Sequence, residues 1–152
     1  MSDILIHNGV HEDAPSLREI ARMAYQHYTS RMGREPAPMH ANFAAHLNDD
    51  TVFVMQQNGL GPCGYAVMIA GDHGWLLDNI AIAPAAQGQG YGGQLLAHCE
   101  EFLRAQGVGV YSLYTNEAMH ENINWYRARG FCETSRRTEN GFHRVYMEKS
   151  LN

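Results

Sequence analysis

Cysteine is scarce in this sequence, and the few cysteines stand far apart. Cys63, Cys99 and Cys132 are the only three in 152 residues, and no Cys-x-x-Cys pair occurs. An odd number of widely spaced thiols is typical of free, buried cysteines in a reducing compartment rather than of a disulfide framework. We therefore expect a cytoplasmic protein.

Long apolar runs are missing as well. No stretch approaches the roughly 20 apolar residues that a membrane-spanning helix needs. The first residues, from Met1 to His7, contain no basic flank followed by a long apolar segment. The sequence therefore predicts neither a signal peptide nor association with a membrane.

Lysine is nearly absent. Lys149 is the single lysine beside ten arginines, and the formal net charge of −5 is spread without long runs of either sign. This pattern does not indicate a nucleic-acid surface, and a mildly acidic body is compatible with a cationic substrate such as an amine. His7 and His11 stand four residues apart but span a predicted strand end and turn, so we expect no metal site.

The residues that are present predict one domain over residues 1–152. Hydrophobic residues make up 45% and charged residues 18% of the chain, which is usual for a globular domain with one core. After a short strand at residues 4–6, Asp13 is the predicted N-cap of a helix with an apolar stripe that runs to Tyr28, and Gly33 ends that helix. A shorter helix is predicted around residues 42–47.

Strands dominate the rest of the chain. Turn signals separate three strands that predict an antiparallel meander, Thr51–Gln56, Tyr65–Ala70 and Trp75–Ala83. A helix from Tyr91, a further strand, a short helix that ends at Gly130 and a closing hairpin follow. The predicted order is β-α-α-β-β-β-α-β-α-β-β, an α+β domain with a mixed, mostly antiparallel central sheet flanked by helices.

A glycine-rich loop, QGQGYGG at residues 87–93, precedes the helix at Tyr91. Its letters satisfy the dinucleotide fingerprint G-x-G-x-x-G, but that motif directly follows a parallel strand, whereas Pro84 and three more residues intervene here. No lysine stands nearby, which excludes a Walker A loop. A flexible connection without a ligand would need fewer glycines, because each costs backbone entropy. Backbone amides at a helix start instead predict an anion-binding loop.

This loop and a second segment resemble the GCN5-related N-acetyltransferases. Gln87, Gly90 and Gly92 match the acetyl-CoA pattern of that family, Gln/Arg-x-x-Gly-x-Gly/Ala. Residues 122–131 resemble a later family segment, Asn-x-x-x-Tyr-x-x-x-Gly-Phe, and the order of predicted elements agrees over residues 4 to 147.

The resemblance implies a coenzyme site in the loop and in the strand before it. Backbone amides would hold the pyrophosphate of coenzyme A, with Gln87 donating at the loop entrance and Asn122 bonding the pantetheine or phosphate region. Ile80, Ala81 and Ile82 would run beside the pantetheine arm, and Ile82 is the candidate for a free amide that polarises the thioester carbonyl. The loop residues are Gly88, Gln89, Gly90, Tyr91, Gly92 and Gly93.

The resemblance makes Tyr126 the general acid. Tyr126 stands four residues after Asn122 and shares its helix face. A phenol with a reference pKa of about 10 is neutral at pH 7 and can protonate a departing thiolate. Periodicity alone favours a packed aromatic side chain beside Trp125.

The residues leave the general base and the acceptor open. Asp78, on the third meander strand, is predicted either to deprotonate the amine through water or to point into solvent, and Glu117 either to act as a base or to start a helix. Tyr25 and Tyr28 fall where the first helices of the family line the acceptor site.

The predicted function is direct transfer of an acetyl group from acetyl-CoA to a primary amine, without a metal. The alternative is a non-catalytic sensor or regulatory module of the same fold that binds coenzyme A. Small amines, amino acids and peptide amines are all candidates for the acceptor, and the resemblance is compatible with a homodimer.

Overall fold

A seven-stranded sheet forms the middle of the computed structural model, which describes residues 4–152. Its strands are β1 (Ile4–Asn8), β2 (Thr51–Gln57), β3 (Gly61–Gly71), β4 (Gly74–Ile82), β5 (Val110–Asn116), β6 (Cys132–Glu139) and β7 (Phe142–Ser150). Their spatial order is β1-β2-β3-β4-β5-β7-β6, and β4 with β5 is the parallel pair in this sheet. The predicted α+β class and mostly antiparallel sheet are confirmed.

The helices are α1 (Ala14–Tyr25), α2 (Thr29–Met32), α3 (Phe43–Asp49), α4 (Tyr91–Ala105) and α5 (His120–Ala128). The first helical run is less regular than predicted, because a 3-10 turn separates α1 from the four-residue α2, but Gly33 at φ 75° does end it. Asp13 stands at the predicted N-cap position directly before α1, but its side chain makes no capping hydrogen bond to that helix. A 3-10 turn already begins at His11, and the Asp13 carboxylate accepts the backbone N–H of Val10 at 2.9 Å.

Two apolar cores lie on opposite faces of the sheet. Because side chains alternate along a strand, Val52 and Val54 of β2 pack towards α1 and α3, whereas Phe53 and Met55 pack towards α4. The predicted apolar stripe of α1 is buried, and α4 likewise buries an apolar face that includes Leu95, Cys99 and Leu103. Side chains of α5 join the same core as α4. The sheet is therefore a middle layer whose two faces are covered by different helices.

The helices within residues 4–152 are all too short or too polar to cross a membrane. Of the N-terminal stretch considered for a signal peptide, residues 1–3 lie outside the described range.

Candidate active site

The sheet opens at its centre, between β4 and β5. The parallel pairing ends at Leu77 opposite Leu113, although both strands continue beyond that point. Two consecutive residues of β3 pair with Leu77 and Asn79, so Asp78 is the extra residue of a bulge in β4. A bulge bends its strand and interrupts the ladder. The second half of β4 therefore diverges from β5 and leaves a cleft.

The backbone of β4 turns two of its polar groups towards this cleft. The N–H of Ala83 donates to the carbonyl of Cys63 at 2.7 Å. This bond shows which residues of β4 hydrogen-bond to β3 and which turn their backbone groups away from it. In an antiparallel pair alternate residues bond the partner strand, so Ala81 faces β3. Ile80 and Ile82 consequently direct their N–H and C=O groups to the open edge.

Two side chains donate hydrogen bonds to the backbone carbonyls at this open edge. The Tyr25 hydroxyl donates to the carbonyl of Ile80 at 2.7 Å, and the Gln87 side-chain amide donates to the carbonyl of Ile82 at 2.9 Å. These contacts satisfy the acceptors without using the N–H groups. The amides of Ile80 and Ile82 are thereby left as donors facing the cleft, on a strand whose course is fixed.

The glycine-rich loop lies at the far end of the cleft. Gly88 at φ 81° and Gly90 at φ 79° adopt the left-handed region that glycine tolerates best. Gly90 immediately precedes the first residue of α4, Tyr91. The first N–H groups of a helix lack intrahelical partners and carry partial positive charge. This loop can therefore bind an anion with backbone groups.

Helix α5 packs closely against the first turn of α4. A Cβ added at Gly92 would lie 3.2 Å from Cζ2 of Trp125, and one at Gly93 would lie 3.4 Å from Nη2 of Arg129. The Arg129 guanidinium stacks 3.8 Å from the centre of the Trp125 ring. The small residues thus permit close packing, and the contact places a cation beside the loop.

The cleft has a volume of about 780 Å³. It contains almost all the residues predicted to bind the coenzyme. Those that line it are Ile80, Ala81, Ile82, Gln87, Gly88, Gly90, Tyr91, Gly92, Gly93 and Asn122.

A smaller cavity of about 160 Å³ adjoins the cleft. Its apolar wall includes Met32, Ala37, Pro38, Ala41, Met119 and Phe142, and its polar wall includes His46, Asp78, Tyr114, Asn116 and Arg144. Four residues line both spaces: Tyr25, Ile80, Asn122 and Tyr126. They form the boundary at which a ligand in the cleft and a ligand in the cavity would meet.

Tyr126 lies on this boundary and is 8% exposed. Burial, with a smaller contribution from Tyr28, raises the pKa of Tyr126 well above its usual value. Within residues 4–152 no side-chain hydrogen bond contributes to this shift. Tyr126 is therefore a protonated phenol that is available to a ligand.

Asp78 projects from the bulge into the smaller cavity. Its Oδ1 accepts the Tyr114 hydroxyl at 3.3 Å, and its Oδ2 lies 3.8 Å from Nε2 of His46. The other ring nitrogen of His46, Nδ1, lies 2.8 Å from the Asp50 carboxylate. Burial raises the pKa of Asp78, and this effect is opposed by His46, the Tyr114 hydrogen bond and Arg144. A carboxylate with a raised pKa is suited to accept a proton.

A model of one protein family, described as the acetyltransferase (GNAT) family, matches residues 14–131. The chain belongs to the acetyltransferase (GNAT) family. It is accordingly an acyltransferase. Two solved GNAT structures of similar fold, from Elizabethkingia anophelis and Salmonella typhimurium, contain acetyl-CoA. No curated protein matches the chain in sequence.

Solved structures of GNAT proteins share the fold. The ribosomal-protein-S18-alanine N-acetyltransferase of Escherichia coli is 24% identical with a TM-score of 0.78, over 98% of this chain and 94% of that one. A GCN5-related N-acetyltransferase from Rhodopseudomonas palustris is 22% identical with a TM-score of 0.81, over 99% and 97%. The PaiA N-acetyltransferase of Thermoplasma acidophilum, in complex with coenzyme A, is 17% identical with a TM-score of 0.80, over 99% of each chain.

The residues of the cleft fit the coenzyme of the GNAT family. Gly88 and Gly90 expose their backbone, since no atom lies within 4 Å of the position that a Cβ would take at either residue. Helix α4 begins directly after Gly90, and Arg129 supplies a positive charge to the same cleft. These features complement a pyrophosphate. Within residues 4–152 no group of three or more His, Cys, Asp or Glu side chains is arranged to hold a metal ion.

Three predicted site residues lie elsewhere. Gln89 lines neither space, and Tyr28 lines only the cleft, where its hydroxyl donates to Glu121 at 2.9 Å. Glu117 also lines neither space. Its N–H donates to the carbonyl of His143 at 2.9 Å, and its half-exposed carboxylate lies 3.7 Å from Arg136. Glu117 is therefore on the outer surface beside the hairpin.

Sequence reasoning missed four polar residues at the site: His46, Tyr114, Arg129 and Arg144. Only Arg129 had a local signal, because it lies one residue before Gly130 in a segment that already pointed to the coenzyme. His46 and Arg144 come from α3 and β7, and nothing in their immediate sequence relates them to Asp78. Folding alone brings them together.

Proposed function

We propose that this GNAT protein transfers the acetyl group of acetyl-CoA directly to a primary amine that binds in the smaller cavity. The observation that carries the proposal is the shared boundary, where Tyr25, Ile80, Asn122 and Tyr126 line both spaces. An acyl donor in the cleft and an amine in the cavity would meet there without an acyl-enzyme. Cys99 is fully buried in the core, which supports transfer without a cysteine nucleophile.

The backbone of β4 would stabilise the negative charge that develops on the acetyl oxygen. Ile82 was the donor predicted from sequence, and both Ile80 and Ile82 turn an N–H to the open edge. Ile80 is the better candidate, since it also lines the acceptor cavity whereas Ile82 lines only the cleft. The Tyr25 hydroxyl on the Ile80 carbonyl fixes the direction of that N–H. Such preorganised donors are effective because they need no rearrangement during reaction.

Asp78 would serve as the general base. The amine nitrogen, once an ammonium form has lost a proton to solvent, attacks the acetyl carbonyl carbon and forms the new C–N bond. It then loses one further proton to the Asp78 carboxylate, directly or through a water molecule. His46, placed between Asp78 and Asp50, would position Asp78 and balance its charge. Asp78 lies inside the cavity that would hold the amine, whereas Glu117 does not.

Tyr126 would serve as the general acid. As the C–S bond breaks, the electron pair of that bond goes to sulfur, and the Tyr126 hydroxyl supplies the proton. One proton is thus taken up and one released by the protein in each turnover. The raised pKa of Tyr126 keeps the phenol protonated until a strong base such as a thiolate forms beside it.

A panel of amine acceptors, assayed for release of the coenzyme thiol, tests the proposal. We expect Tyr126→Phe to lower kcat by about 100-fold and to leave the Kd for acetyl-CoA unchanged. Tyr111→Phe is the matched control, because Tyr111 is also buried, lines neither space and donates its hydroxyl to Glu100 at 2.6 Å. Full kcat in Tyr126→Phe contradicts the assignment of the acid. Tight coenzyme binding without turnover of any acceptor contradicts the proposed function and favours the sensor.

A further inference from the structure

The acceptor cavity carries charges of both signs. Asp78 lies on one part of its wall and Arg144 on another. Within residues 4–152 the two side chains form no ion pair with each other, since the carboxylate that lies within 4 Å of Arg144 is that of Glu139. A cavity wall that carries a carboxylate and a guanidinium that do not touch favours a ligand that supplies the complementary charges.

Arg144 is held so that its guanidinium has donors to spare. The group stacks 4.4 Å from the centre of the Tyr114 ring and 5.6 Å from that of Phe142, and the side chain is 15% exposed. Its hydrogen bond to the Glu139 carboxylate is long, at 3.4 Å. The same Glu139 oxygen also accepts the Tyr146 hydroxyl more closely. A guanidinium has five N–H donors in a planar fork that fits a carboxylate.

The remaining wall limits the size and polarity of the ligand. Met32, Ala37, Pro38 and Ala41 line the cavity on the side of the segment that follows α1. The volume of about 160 Å³ is well below the roughly 300–1,000 Å³ of sites for drug-sized ligands. The cavity therefore suits a small molecule with one apolar group.

We propose that the acceptor is a zwitterion, a small free amino acid with an apolar side chain, whose amine faces Asp78 and whose carboxylate binds Arg144. This inference rests on the proposed function. It excludes simple alkyl amines and internal lysines of proteins as preferred acceptors, because neither brings a carboxylate close to the reacting amine.

Matched acceptors test the inference on the wild-type protein. L-leucine, L-methionine and L-phenylalanine are compared with their carboxamides and with the corresponding decarboxylated amines, at the same fraction of free amine. We expect kcat/KM for the amino acids to exceed that for either neutralised partner by about 30-fold or more, the usual effect of losing one member of a buried charge pair.

Substitutions of Arg144 test whether this residue binds the carboxylate of the acceptor. Arg144→Gln should remove the preference by raising KM for the amino acids, with little change for the carboxamides, and Arg144→Lys should restore it only in part because it lacks the fork. Arg137→Gln is the matched control, since Arg137 stacks 4.4 Å from the Tyr146 ring but lines neither space. The Kd for acetyl-CoA and the Tm report any general loss of structure.

The outcomes separate the two proposals. Equal or better turnover of the carboxamides or amines by the wild-type protein overturns the zwitterion and leaves the acetyltransferase intact. A preference for amino acids that survives in Arg144→Gln overturns the role of Arg144. Absence of turnover with all the acceptors defeats the proposed function itself. If Arg144→Gln does not fold, the wild-type ratios and Arg144→Lys still decide.

Discussion

The coenzyme cleft and the acceptor cavity adjoin each other, but the polar groups that line them belong to the backbone in one and to side chains in the other. The cleft consists mainly of backbone: the open edge of β4, a loop of glycines and the start of α4. The polar wall of the cavity consists of side chains from α3, β4, β5 and β7. A site made of backbone should tolerate many single substitutions, whereas a site made of few side chains should fail when one is changed. The following predictions test this difference.

The largest effect is expected in the acceptor cavity, at Asp78. Asp78→Asn keeps the shape of the side chain and an oxygen for the Tyr114 hydroxyl, but removes the proton acceptor. We expect kcat/KM to fall by about 10²- to 10⁴-fold, with the Kd for acetyl-CoA unchanged. Steady-state kinetics and calorimetry measure the two quantities. Retention of a tenth or more of the wild-type kcat/KM would contradict a role as base.

The pH dependence of kcat/KM is a second test of Asp78 as the general base. A base must be ionised to act, so the rate falls as the pH falls through its pKa. Burial raises the pKa of Asp78, while His46, Tyr114 and Arg144 oppose the rise and Asp50 adds to it. We therefore expect an acidic limb in kcat/KM above the usual pKa of aspartate, and its absence in Asp78→Asn. An identical limb in both proteins would assign it to the acceptor amine.

A smaller effect is expected in the cleft, at Gly90. Gly90→Ala puts a Cβ on a residue at φ 79° with no atom within 4 Å, so only backbone strain of about 1–2 kcal/mol is added. If coenzyme binding requires this conformation, the Kd for acetyl-CoA should rise by about 5- to 30-fold while kcat changes little.

Gly59 offers a matched control for this strain. It lies in the β2–β3 turn at φ 77°, also with no atom within 4 Å. Gly59→Ala should therefore lower the free energy of unfolding to a similar extent without changing the Kd for acetyl-CoA. Equal Kd values for wild type and Gly90→Ala would show that the loop does not need its left-handed glycine to bind the coenzyme.

The difference between a cleft made of backbone and a cavity made of side chains also explains which features could be predicted from sequence. The loop was predictable because its function depends on contiguous residues: Gln87, Gly90 and Gly92 are close in the chain, and α4 begins there. The bulge at Asp78 was not, since it depends on the register of β4 against β3. His46 and Arg144 were missed because only the tertiary fold brings α3 and β7 to the cavity.

The smallest effect is expected at Glu117, which sequence proximity had made a candidate base. Glu117 directly follows β5, but its N–H bonds His143 in the neighbouring strand, and its carboxylate consequently lies beside Arg136 on the outer surface. A half-exposed ion pair of this kind contributes little to stability. Glu117→Gln should therefore keep kcat and KM within about 2-fold, as for a surface substitution. A large loss of kcat in Glu117→Gln, together with activity in Asp78→Asn, would identify Glu117 rather than Asp78 as the general base. The side chains of the cavity wall would then not be the sensitive part of the site.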